Sequence, residues 1–140
     1  MAGDAAKAAF ANEAAVEYYQ RLLPLLPERE TGVVLVELGA VWQLTGSWRE
    51  AEQAYRRAMH AAMLAGDRAV RAVSQVALGG LFMYTQSYAE AVRWLRRAAE
   101  GFERLGDERG HSKTLERLAY ALYHQSAYAE ALTAAEGTTT

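Results

Sequence analysis

The chain has 140 residues, with 15 lysines and arginines against 17 aspartates and glutamates, three histidines, two prolines and no cysteine. That length suits one compact domain or a short repeat array, and a net charge of −2 argues against a protein built to grip nucleic acid. Without cysteine there is no disulfide framework, no Cys-ligated zinc and no thiol nucleophile.

No apolar run approaches the roughly 20 residues that a membrane helix needs. Residues 1–5 lack the charged-then-apolar pattern of a secretory signal, so a cytoplasmic location is the expectation. Breakers are sparse, and the stretches between them are rich in the strong helix formers Ala, Leu, Glu, Arg and Gln. In chain order, the pattern predicts a leading helix over 4–23, ended by Pro24 and Pro27. Further helices are expected over 32–44, 48–64, 70–84, 88–104, 110–124 and 128–136. The β-branched run Val33-Val34-Leu35-Val36 continues into Leu38 and Val41-Trp42 at helical spacing. It reads as a buried helix start, with a strand as the alternative.

The chain repeats itself at a step of about 40 residues. Leu38-Gly39 recurs as Leu78-Gly79 and as Leu118-Ala119; Trp48 as Tyr88 and Tyr128; Glu50-Ala51 as Glu90-Ala91 and Glu130-Ala131. Arg56-Arg57-Ala58 recurs as Arg96-Arg97-Ala98, and Gly66-Asp67 as Gly106-Asp107. Each unit has room for two helices, A and B. Ser47-Trp48-Arg49-Glu50 and Ser87-Tyr88-Ala89-Glu90 fit a capping box ahead of helix B, whereas the third unit has Ala127 there. Gly66 and Gly106 suit a helix C-terminus, and the aspartate after each suits the next N-cap.

These residues resemble the tetratricopeptide repeat (TPR) family in its longer, roughly 40-residue variant. The first unit supplies Leu35, Leu38-Gly39, Trp42, Gly46, Trp48, Ala51, Tyr55 and Ala58. The second supplies Leu78-Gly79, Phe82, Tyr88, Ala91, Leu95 and Ala98, with Gln75 where a large apolar residue is expected. The third supplies Leu115, Leu118-Ala119, Leu122, Tyr128 and Ala131, with Ala135 where bulk is usual. Small residues at 39, 79 and 119 let helices A and B cross closely, and Ala51, Ala91 and Ala131 do so from the other side. The resemblance implies an all-α fold, an α-solenoid of antiparallel helix pairs: about three hairpins plus the N-terminal helix. Its bounds are 4–23 for the leading helix, 31–66, 67–106 and 107–136 for the repeats (the last truncated), and 137–140 for a frayed tail. The leading segment is similar to a lone helix B, so the array looks like part of a longer one. It also resembles repeat arrays that follow ATPase modules in large bacterial regulators such as nucleotide cyclases and transcription activators.

Chemistry is not evident. The sequence has no phosphate loop, no dinucleotide turn and no paired-His zinc motif. His60, His111 and His124 never fall at helical ligand spacing. The carboxylates interleave with arginines, as on a solvated helix face. No enzyme activity, cofactor or metal is expected. The arginines Arg56, Arg57, Arg93, Arg96, Arg97 and Arg104 of the B helices read as surface charge, with an acidic partner or an RNA backbone as the alternative. The large aromatics Trp42, Trp48, Tyr55, Tyr88 and Tyr128 read as repeat core.

By the resemblance, partners lie along a concave groove lined by the A helices. Counting that face from each Leu-Gly gives Val33, Val36, Ala40, Gln43 and Leu44, then Val73, Val76, Gly80, Met83 and Tyr84, then Lys113, Glu116, Tyr120, Tyr123 and His124. With Lys113 as its one cation and no asparagine, this face does not suit the carboxylate clamp of chaperone adaptors. Met83, Tyr84, Tyr120, Tyr123 and His124 form an adaptable aromatic strip of the composition favoured at binding hot spots. Its occupant is either a partner peptide or another helix, from this chain or a second copy. The leading expectation is therefore a non-catalytic protein–protein interaction module, the scaffolding or sensory part of a larger regulator. The alternative is homodimerisation through uncovered repeat ends at Tyr128 and Leu132.

Overall fold

The structure, a computed structural model, describes residues 2–138. Among them the chain is all-helical: α1 (Ala2–Leu22), a 3-10 turn (Leu23–Leu25), α2 (Glu28–Leu44), α3 (Trp48–Ala65), α4 (Arg68–Tyr84), α5 (Tyr88–Leu105) and α6 (Glu108–Thr138). The Val33–Val36 run lies within α2 and is not a strand. Each helix packs on the next, and α2 also reaches α4.

The direction of packing follows from pairs of contacts. Gln43 near the end of α2 bonds Tyr55, whereas Gly32 near its start faces Ala58 and Ala62 further along α3. Gly79 near the end of α4 likewise meets Ala91 and Leu95, while Ala72 near its start meets Gly101. Both pairs are therefore antiparallel. They cross closely because the contact residues are small: Ala51 and Ala91 are fully buried, and Gly39 and Gly79 face the Tyr55 and Leu95 side chains. Leu78, Leu81 and Leu95 fill the space around these crossings, at about 1.5–3 kcal/mol of apolar burial each.

Two kinds of turn join the helices. At the ends of α3 and α5, Gly66 and Gly106 adopt φ +70° and +72°, a left-handed geometry that a side chain would strain. The following Asp67 and Asp107 accept from the Val70 and Gly110 amides at 3.1 and 2.9 Å, the expected N-caps. At the ends of α2 and α4, Gly46 and Gln86 take positive φ. Thr45 and Thr85 there donate to the carbonyls of Trp42 and Phe82. The expected capping boxes do not form. The Ser47 and Ser87 hydroxyls lie 3.2 and 3.5 Å from those threonine hydroxyls, and neither caps the helix behind it.

The third hairpin is the main departure from expectation. A turn near 125–127 was to separate two helices, yet Glu108–Thr138 is one helix of 31 residues. The sequence there reads Gln125-Ser126-Ala127 and lacks the threonine that holds the last carbonyl in both earlier turns, and it has no glycine such as Gly46. Ala127, Ala129 and Ala131 favour helix, so propagation wins over the turn. In consequence Ala119 and Ala131 cross nothing and are exposed, and Leu115 and Leu122 stand open to solvent. Of the tail expected to fray over 137–140, residues 137 and 138 continue α6, and residues 139 and 140 lie outside the described residues.

Candidate functional site: an aromatic strip along three helices

The 40-residue step places Gln43-Leu44, Met83-Tyr84 and Tyr123-His124 at equivalent positions of α2, α4 and α6. Two hollows lie along them. The first, about 650 Å³, is lined by Gln43 and Leu44 of α2, Trp48 and Tyr55 of α3, and Tyr84 of α4. Trp48 and Tyr84 form its wall, with ring centroids 4.9 Å apart. Tyr55 forms its buried floor and donates its hydroxyl to Gln43 Oε1 at 2.9 Å. Burial pushes the Tyr55 phenol up to about 12. Leu44 and Tyr84 are 76% and 67% exposed, so the rim of this hollow presents apolar surface.

The second hollow, about 350 Å³, is lined by Gly80 and Met83 of α4, Leu95 of α5, and Glu116, Arg117 and Tyr120 of α6. Beyond it His124 gathers a ring cluster, with centroids 4.2 Å from Tyr120, 5.4 Å from Tyr88 and 5.5 Å from Tyr123. Tyr88 in turn lies 6.5 Å from Tyr128. These spacings suit offset and edge-to-face ring packing.

Of the groove residues expected from sequence, Gln43, Leu44 and Tyr84 meet in the first hollow, and Met83, Glu116 and Tyr120 in the second. Tyr123 and His124 extend the strip without lining either hollow. Val36 and Val76 do not belong to it. Val36 packs on the cluster around Tyr55, Leu78 and Trp94, and Val76 on Ala72, Ala98 and Phe102. Trp48 was expected in the core and instead lines the first hollow, and Tyr128, also expected there, is mostly exposed. The signal for Trp48 was its place immediately after the turn, at the first residue of α3.

A concavity of about 780 Å³ lies elsewhere and holds none of these residues; Leu35, Leu38 and Trp42 of α2 face Ala54, Arg57 and His60 of α3 across it. Among the described residues no three metal-capable side chains gather, and no helix is long and apolar enough to cross a membrane. No protein-family model matches this chain, and no curated protein matches it.

Proposed function

We propose that the chain is a non-catalytic protein–protein interaction module that takes an extended apolar or aromatic peptide segment along this strip. The observation that carries the reading is the run of exposed Leu44, Tyr84, Tyr120 and Tyr123 beside two hollows with aromatic and methionine walls. Charge in the strip is slight, with Glu116 beside Arg117, so the partner's contact surface is apolar. A TPR-like solenoid is the architecture this reading assumes. Its support is the recurrence of antiparallel hairpins α2–α3 and α4–α5, with the same two turn types, at a step of about 40 residues. A scaffolding or sensory place in a larger cytoplasmic regulator follows from the same resemblance.

The test is selection of peptides from a displayed library against the whole chain, followed by measured affinities for Tyr84→Ala and Tyr120→Ala. Selected peptides should be rich in aromatic and branched apolar residues and lose about tenfold or more in affinity on either substitution. Peptides that bind both variants as well as the parent overturn the groove.

Self-association is a second reading, favoured by four exposed apolar side chains of α6, Leu115 and Leu122 on one side of the helix and Tyr128 and Leu132 on another. Sedimentation equilibrium decides it: a dimer that Leu122→Glu dissociates supports the reading, and a parent chain that stays monomeric removes it.

A further inference from the structure

The hairpins α2–α3 and α4–α5 differ most sharply at one place. Glu28, Thr31, Leu35 and Leu64 of the first are replaced at the same step by Arg68, Arg71, Gln75 and Arg104 of the second, while Arg57 is kept as Arg97. These five residues of the second hairpin line one cleft of about 460 Å³ between α4 and α5, with Ala72, Glu100 and Gly101. Four guanidinium groups thus face a single carboxylate. None of the four arginines has a carboxylate within ion-pair distance among the described residues. Elsewhere on the surface Arg21, Arg56 and Arg93 are paired with glutamates on their own helices.

Gln75 is the second observation. It occupies the position of the buried Leu35 and is itself only 5% exposed, so a polar amide replaces a core leucine. Ser74 and Thr114, the other buried polar side chains, both bond carbonyls one turn back. Gln75 makes no such bond among the described residues, yet no buried side-chain polar atom there is sealed without a partner. Its amide therefore reaches the cleft as an open donor and acceptor, with Oε1 4.0 Å from where a β-carbon on Gly101 would stand. Arg97 is held in place by the Trp94 ring, 5.0 Å from its guanidinium carbon.

We propose that this cleft binds a phosphate-bearing metabolite of nucleotide size. Guanidinium groups match phosphate oxygens in bidentate geometry, and the Gln75 amide and Glu100 carboxylate supply hydrogen bonds to the neutral part of the molecule. A cleft of about 460 Å³ is larger than a bare diphosphate requires and falls in the range of small-molecule sites. The site lies on α4 and α5, away from the aromatic strip, and stands or falls apart from the peptide reading.

Calorimetric titration of the whole chain with ADP and with pyrophosphate at low ionic strength tests it. Both probes should bind, ADP the more tightly, with affinity falling as salt rises. Arg71→Ala and Arg104→Ala should each weaken ADP about tenfold or more. Gln75→Leu restores the residue of the first hairpin, so it should keep the fold while weakening ADP more than pyrophosphate. Absence of binding by either probe, or binding unchanged in the two arginine variants, overturns the site. ADP no tighter than pyrophosphate overturns the nucleotide-sized ligand.

Discussion

The ring of Tyr55 occupies the space that a β-carbon on Gly39 would need. The same relation recurs one unit on, where a β-carbon on Gly79 would lie 2.7 Å from Leu95. In both hairpins a glycine, ordinarily a poor helix residue, is required because a large side chain from the facing helix lies directly against it. Gly80, the neighbour of Gly79 on the same helix, has open space where its side chain would be.

The two adjacent glycines of α4 should therefore respond with opposite sign. Gly80→Ala should stabilise the chain by up to about 1 kcal/mol, the helix-propensity gain. Gly79→Ala, and likewise Gly39→Ala, should destabilise by about 1–3 kcal/mol through overpacking. Urea midpoints of the three variants, at unchanged m-value, give the comparison. Equal effects at 79 and 80 would show that close crossing does not set the packing.

Tyr55 also gives the fold a dependence on alkaline pH. Its folded pKa of about 12 lies above the ordinary 10, so folding favours the neutral phenol. The resulting stability is fully present below pH 10 and is lost as pH rises from 10 towards 12, an effect of order 2 kcal/mol. Tyr55→Phe removes the bond to Gln43 and should cost about 1 kcal/mol at neutral pH. It should lose less on alkalinisation, so that the order of stability reverses near about pH 11. Denaturant titrations of both chains at pH 8, 10 and 11.5 would show parallel curves if another group carried the effect.

Sequence alone placed α1 to α5 within a few residues because their ends are fixed locally. Gly66-Asp67 and Gly106-Asp107 carry both the left-handed C-terminus and the N-cap within two residues. The groove was legible only in part, since helical register says which residues share a face but not what leans on that face. Val36 and Tyr84 are both on it by register, yet Val36 packs into the core around Tyr55, Leu78 and Trp94, whereas Tyr84, the last residue of its helix, is exposed beside Trp48. The arginine cleft was hidden for a related reason. Arg68 and Arg71 lie on a different helix from Arg97 and Arg104, and antiparallel pairing alone brings the start of α4 to the end of α5.

The straight course of α6 rests on a small local difference, and reversing that difference should restore a hairpin. The turn after α2 reads Thr45-Gly46-Ser47, with Gly46 at φ +79° and Thr45 bonded to the Trp42 carbonyl. The corresponding Gln125-Ser126-Ala127 supplies neither feature. The triple variant Gln125→Thr, Ser126→Gly, Ala127→Ser installs both, at a helix-propensity cost of about 1 kcal/mol from the glycine. Folding the segment back lets Ala131 cross Ala119 and covers Leu115 and Leu122, which offsets that cost at about 1.5–3 kcal/mol per leucine fully buried. The variant should become more compact by small-angle scattering, and amide exchange should quicken at residues 125–127 while slowing along 115–122. An unchanged radius of gyration would show that α6 is straight for reasons beyond its missing turn.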